Sequence, residues 1–207
     1  MKNLKLRKIL LTICSAMLLV TLSVGATFAY LTSQASVTNT FTVGNVKITL
    51  DETDVDVYGV KDSENRVKAN TYKLMPGHTY IKDPTIHVDT TSEDAWLGVK
   101  VVFEGGKKVD ELGLPMLEIF NVNAYDWTIR EKTYEGNNVA YVLVYNKSVT
   151  KNENVVLFGT MTIPGTLSNA DVEALNDIKM NITAYAVQKD GFTEAAAALD
   201  AGFAGIF

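Results

Sequence analysis

The sequence predicts an all-β fold, an antiparallel jelly roll or β-sandwich with one or two short helices, preceded by a cleavable signal helix. Three observations carry this. The chain opens on a basic and then apolar stretch with the form of an export address. Eight or nine short apolar-rich runs follow, each bounded by turn residues. Helix-favouring sequence is confined to two short late segments, too little to build an α-helical layer.

The leader has Lys2, Lys5, Arg7 and Lys8, then an apolar run from Ile9 to Val24, then Gly25-Ala26-Thr27-Phe28-Ala29. Basic start, apolar middle and small-x-small end are the pattern of a secretory signal peptide. We place the cut between Ala29 and Tyr30, with Ala26 as a second possible site. A retained anchor is the competing reading, since the apolar run reaches about 20 residues. The expected organisation is signal peptide 1–29, N-terminal strand 30–44 and β domain 45–207.

After the cut the period changes to two. Leu31, Ser33, Ala35, Val37, Asn39, Phe41 and Val43 alternate with a wholly polar set, Thr32, Gln34, Ser36, Thr38, Thr40 and Thr42. This is the pattern of one strand with one buried face. Val46–Leu50 reads as the next strand. Asp51 to Asn70 is rich in charge and poor in apolar pairs, so it reads as a loop or frayed excursion. Pro76-Gly77 suits the centre of a type II turn. Thr85–Val88 and Trp96–Phe103 read as strands, the second stopped by Gly105-Gly106. Lys107 to Asn123 is less regular, and Gly113 and Pro115 argue against a long element. Trp127–Thr133 and Val139–Tyr145 flank a hairpin turn at Glu135-Gly136-Asn137-Asn138. Val155–Ile163 reads as one strand, ended by Pro164-Gly165. Ser168 or Asn169 caps a short helix reaching Asn176. Ile178, Met180, Ile182, Ala184 and Ala186 give a long late strand. The last element is a helix through Glu194-Ala195-Ala196-Ala197-Ala198-Leu199-Asp200-Ala201.

Composition narrows the function. Removal of the leader leaves 15 basic against 24 acidic residues, a net charge of −9. No basic stripe is available to neutralise phosphates, which argues against nucleic acid. The one cysteine, Cys14, lies in the leader, so the mature chain of about 178 residues has neither disulfide nor thiol chemistry and relies on its core, its sheet or its neighbours.

His78 and His87 are nine positions apart, with no HExxH pattern to put two imidazoles on one helical face. They read as turn and strand-surface residues, and a composite metal site with distant carboxylates is the alternative. No GxSxG elbow and no phosphate-cradling loop is present. Asp51, Glu52, Asp54 and Asp56 do not fit the EF-hand: from Asp54, Tyr58 falls where an oxygen ligand belongs and Asn65 at the final position. They read as a solvated acidic loop, with a weak irregular calcium site as the other possibility. Tyr125, Trp127, Tyr134, Tyr141, Tyr145 and Phe158 occur at strand spacing and read as core and cross-strand packing, with a carbohydrate platform as the rival. No catalytic, cofactor or metal residue is assigned, and the chain reads as a non-enzyme.

Gly25-Ala26-Thr27-Phe28-Ala29-Tyr30-Leu31-Thr32, with the block from Asn39 to Glu52, resembles the start of the TasA/camelysin family. Leu74-Met75-Pro76-Gly77, the Trp96–Phe103 strand and Gly191-Phe192-Thr193-Glu194-Ala195-Ala196 are also similar to it. The resemblance implies a jelly-roll protein of the biofilm matrix or cell surface, whose leader is cut by a SipW-type signal peptidase. It further implies fibres built by donation of the mature N-terminal strand, here about Tyr30 to Val43, with Leu31, Ala35, Val37, Phe41 and Val43 as its apolar set. The implied partners are further copies of the chain, the signal peptidase, and other matrix or cell-wall components. Membrane contact is expected only through the leader. Some members of that family are described as metallopeptidases.

Edge physics points the same way. A strand with one apolar face and an unpaired sheet edge are both costly in water, and pairing them between molecules satisfies both. Head-to-tail pairing does not close and gives filaments. The same strand could pair with its own sheet instead. A monomeric adhesin or ligand-binding sandwich, and a secreted hydrolase, remain the other readings.

Overall fold

A computed structural model of the chain describes residues 32–36, 40–42 and 45–207, apart from positions 112, 114–116, 124, 176 and 177. The leader, the cut between Ala29 and Tyr30, and Leu31, Val37 and Val43 lie outside the described residues.

The expected all-β sandwich is the fold found. Its strands are β1 (Thr32–Ser36), β2 (Thr40–Thr42), β3 (Ile48–Val55), β4 (Lys61–Val67), β5 (Thr79–Ile81), β6 (Thr85–Val88), β7 (Ala95–Glu104), β8 (Phe120–Val122), β9 (Trp127–Glu135), β10 (Asn138–Val149), β11 (Asn154–Val156), β12 (Phe158–Thr162) and β13 (Lys179–Gln188). A six-stranded sheet runs β2-β1-β13-β7-β10-β9, a four-stranded sheet β11-β6-β3-β4, and a three-stranded sheet β5-β12-β8. All their pairings are antiparallel. The helices among the described residues are α1 (Gly106–Glu111), α2 (Asn169–Leu175) and α3 (Ala195–Gly202). None is long and apolar enough to cross a membrane.

One buried cluster joins the three sheets. Leu97, Val99, Val101 and Phe103 of β7 meet Leu50 and Ile86 of the four-stranded sheet and Phe120, Phe158 and Met161 of the three-stranded one. The alternation of β7 places Trp96 and Gly98 on its other face. There Trp96, Tyr185 and Val187 are covered by Ala195, Ala198 and Leu199 of α3, with Phe203 and Phe207 packed beside them. Gly98 is needed at this contact: a Cβ there would overlap the Phe207 ring and lie 2.9 Å from Leu199 Cδ1. Burial on both faces explains why Trp96–Phe103 is apolar at nearly every position.

Local signals held where they were specific. His78 N–H donates to the Met75 carbonyl across Pro76-Gly77, at 3.2 Å, and Gly77 has φ +76, as a type II turn requires. Gly136-Asn137 joins β9 to β10. At the start of α2 the Ser168 hydroxyl and backbone N–H donate to Asp171 Oδ2 at 2.7 and 2.9 Å, and Asp171 N–H returns to Ser168 Oγ at 3.3 Å.

Three expectations need correction. Asp51–Asn70 is no loop: β3 continues to Val55 and pairs with β4. The edge strand β4 buries no residue fully, so no apolar alternation marks it. Val155–Ile163 is two strands, since the chain leaves the four-stranded sheet at Leu157 and enters the three-stranded one. Lys107–Asn123 has no long element, as expected; it holds most of α1 and the three-residue β8, both too short to show a period. The N-terminal stretch forms β1 and β2 in place of one strand; they pair antiparallel, with Ala35 opposite Thr40 and Phe41 opposite Gln34.

Candidate functional site

The long strand β13 pairs with β7 along all ten of its residues, Lys179–Gln188. On its other side β1 covers only Thr183 to Val187, from Ser36 opposite Thr183 to Thr32 opposite Val187. Among the described residues no strand covers Lys179–Ile182, and a strand segment left this way presents alternate unpaired N–H and C=O groups. The uncovered half of β13 borders a groove between the sheets. The groove has two adjoining cavities, of ≈ 120 Å³ and ≈ 470 Å³, which share Ala69, Asn70, Lys82, Met180 and Asn181 in their walls. Leu50 and Glu52 of β3 line the smaller one. Phe103, Phe120, Met161 and Ile178 line the larger one and give it an apolar floor.

One polar pair stands in this groove. Lys82 Nζ donates to Glu52 Oε2, and the two side chains are only 10% and 6% exposed. Glu52 Oε1 is buried without a hydrogen-bond partner. An unmade bond to a buried oxygen costs about 1–3 kcal/mol. The Lys82 ammonium lies 5.4 Å from the Tyr72 ring centroid. Burial, followed by the nearby Glu52 charge, pushes the Tyr72 hydroxyl far above its ordinary pKa and keeps it protonated.

The sheet edges differ in charge. Edge strand β4 carries Lys61, Asp62, Glu64 and Arg66, and edge strand β9 carries Arg130, Glu131, Lys132 and Glu135. Charges in edge strands discourage pairing with other chains. From Leu31 to Asn45, which includes β1 and β2, the sequence has no charged residue.

The histidines and the acidic stretch are engaged with other partners. His87 Nδ1 lies 2.7 Å from Asn154 Oδ1, and its Nε2 lies 2.8 Å from Asp51 Oδ1. Asp51 also accepts from Arg66 Nε, and Asp83 Oδ2 accepts from Arg66 Nη1 at 3.1 Å. The guanidinium therefore takes the position between carboxylates where a cation would sit. Burial works against Arg66, but its bonds to Asp51 and Asp83 outweigh burial and raise its pKa further. His78 Nε2 is 2.9 Å from the Tyr58 carbonyl oxygen and its ring lies against Tyr80. The acidic stretch does not converge: Asp54 accepts from the Ser63 hydroxyl, and Asp56 Oδ1 caps the backbone N–H groups of Tyr58 and Val60. Among the described residues no three His, Cys, Asp or Glu side chains gather as metal ligands. Of the aromatics, Trp127, Tyr141, Tyr145 and Phe158 are buried, whereas Tyr125 and Tyr134 are exposed.

Of the expected donor residues, Ala35 stands in β1 and Phe41 in β2. The groove and its Glu52–Lys82 pair were missed in the sequence. The one available signal was Leu50-Asp51-Glu52, where the period-two pattern of Val46–Leu50 continues inward to an acidic residue.

Residues 3–95, a little under half of the chain, match the family model described as camelysin metallo-endopeptidase. The match agrees with the TasA/camelysin resemblance. No curated protein and no solved structure matches the chain. The family description is that of an enzyme, and so it does not support the expectation of a non-enzyme. The described residues do not fit a peptidase metal, because both histidines and the nearest carboxylates are committed to other partners.

Proposed function

Given a camelysin-type N-terminal half, we propose that the processed protein is a structural subunit of the extracellular matrix or cell surface. It assembles head to tail, each copy giving residues 30–43 to the sheet edge of the next. The observation that carries this reading is the half-covered β13, flanked by an open apolar groove and paired with the uncharged part of the chain. In the self-paired chain β1 already occupies the position a donated strand would take. Donation therefore exchanges equivalent ladder bonds, and the net drive comes from filling the groove at roughly 25 cal/mol per Å² of apolar surface. Cleavage by a SipW-type signal peptidase frees the strand from its leader and acts as the assembly switch. Other matrix or cell-wall components are candidate co-assembling partners.

The test is to delete residues 30–43 from the processed protein and to image and sediment it beside the parent. The expected outcome is filaments from the parent and single particles from the deletion. Undiminished filaments without residues 30–43 overturn the reading. The family description favours a second reading, a secreted metallo-endopeptidase. Chelator-sensitive digestion of casein, lost on changing His78 or His87, is the result that supports it.

A further inference from the structure

Resting on that reading, we infer that the donated segment seats as one straight strand, in the register β1 already sets, with Asn39 and Phe41 as its groove-reading residues. Each step forward along β1 is one step back along β13, from Thr32 opposite Val187 to Ser36 opposite Thr183. Continued without a turn, Val37 falls opposite Ile182, Thr38 opposite Asn181, Asn39 opposite Met180 and Phe41 opposite Ile178.

The chemistry of the wall matches residue by residue. Ala184 and Ile182 belong to the main core, and Met180 and Ile178 pack against it. The residues opposite them are Ala35, Val37, Asn39 and Phe41, the same alternating set the sequence presents. The set has one amide, Asn39. It arrives opposite Met180, which shares the smaller cavity with Glu52, whose Oε1 lacks a partner. A carboxamide N–H there supplies the missing bond. Phe41 arrives opposite Ile178, in the wall of the larger apolar cavity.

In the self-paired hairpin this matching is lost. Phe41 stands opposite Gln34, and Gln34 opposite Tyr185, which belongs to the cluster under α3.

Chain length makes the occupant a second copy. The Asn45 carbonyl accepts from Glu93 N–H at 3.1 Å, close to Ala95, which pairs with Gln188. Ile178 and Gln188 are ten residues apart, about 33 Å along a strand. Four residues from Phe41 to Asn45 span at most about 14 Å. A chain with Asn45 in place cannot put its own Phe41 opposite Ile178, so it folds back as β1 and β2. A neighbour's strand has no such constraint.

The mature chain lacks cysteine, which makes cross-linking clean. Processed Thr38→Cys protein is mixed with processed Asn181→Cys protein, allowed to assemble, and oxidised; peptide mass identifies any mixed disulfide. Thr40→Cys with Asn181→Cys reports a register displaced by two residues. The expected result is filaments in which the 38–181 pair cross-links and the 40–181 pair does not. Filaments with the 40–181 link, or with neither link, overturn this register and leave strand donation standing. Single particles from the unaltered processed protein at every concentration overturn donation itself, and this inference with it. Asn39→Leu separates the polar contact: it is expected to slow assembly in the parent and to have no added effect in a Glu52→Met, Lys82→Met background, which leaves no acceptor and no unpaired charge. An equal slowing in both removes the Asn39–Glu52 contact.

Discussion

Arg66→Met tests what holds the charged edge strand β4 in place. Arg66 Nη2 donates to Thr85 Oγ1 at 2.7 Å. Its other groups reach Asp51 and Asp83, and three longer bonds of 3.2–3.3 Å add little. The side chains of Arg66, Asp51 and Asp83 are 31%, 27% and 22% exposed, so solvent screening limits each ion pair to about 1 kcal/mol. The Thr85 bond contributes about 1 kcal/mol more. Methionine keeps most of the apolar stem, and the expected loss is about 3 kcal/mol near neutral pH.

The loss depends on pH, with a definite sign. Burial alone would raise the pKa of Asp83. The N–H and hydroxyl of Thr53, each at 2.7 Å, together with Arg66, bring it below its ordinary value. A carboxyl depressed in the folded state stabilises above its unfolded pKa of about 3.9, and that contribution disappears as pH falls through the folded value. Urea unfolding of the processed parent and variant at pH 7 and about pH 2.5, at concentrations where both sediment as single particles, measures the difference. The deficit should be largest at pH 7 and much reduced in acid. An equal deficit at both pH values, or one below about 0.5 kcal/mol at pH 7, refutes the argument.

Gly98→Ala should displace Phe207 from the outer face of the large sheet and destabilise by about 1–3 kcal/mol, read as a lower urea midpoint and altered Trp96 emission. Tyr80→Phe removes a buried hydroxyl that donates to the Lys73 carbonyl at 2.7 Å and accepts from Met75 N–H at 2.8 Å; thermal unfolding should show a loss of about 1–3 kcal/mol. Replacing Lys61, Asp62 and Glu64 of β4 together with threonine should produce side-by-side association, visible by sedimentation even when residues 30–43 are deleted.

Much of this fold was legible in the sequence because its signals are local. Pro76-Gly77 dictates its own φ angles, Gly136-Asn137 its own hairpin, and Ser168 with Asp171 its own helix start. The strand β7 announced itself by apolar density, since both its faces are covered. What was illegible has a common cause. Strand β4 is exposed on both faces and is held by the long-range bonds of Arg66, so no short window of sequence could mark it. The break at Leu157 is a change of sheet, which depends on where the partner strands lie.

By itself the sequence determined that the chain after position 29 is acidic, free of cysteine and rich in short strands, and that residues 31–45 alternate and bear no charge. Side-chain period and formal charge are properties of neighbouring residues, and they survive without a fold. Only the tertiary structure decided that β13 outruns β1, that Glu52 is buried with one oxygen unserved, and that Asn45 is bonded near the far end of β13. Each of these depends on strands distant in sequence meeting in one register, and register is set by the packing of the whole core.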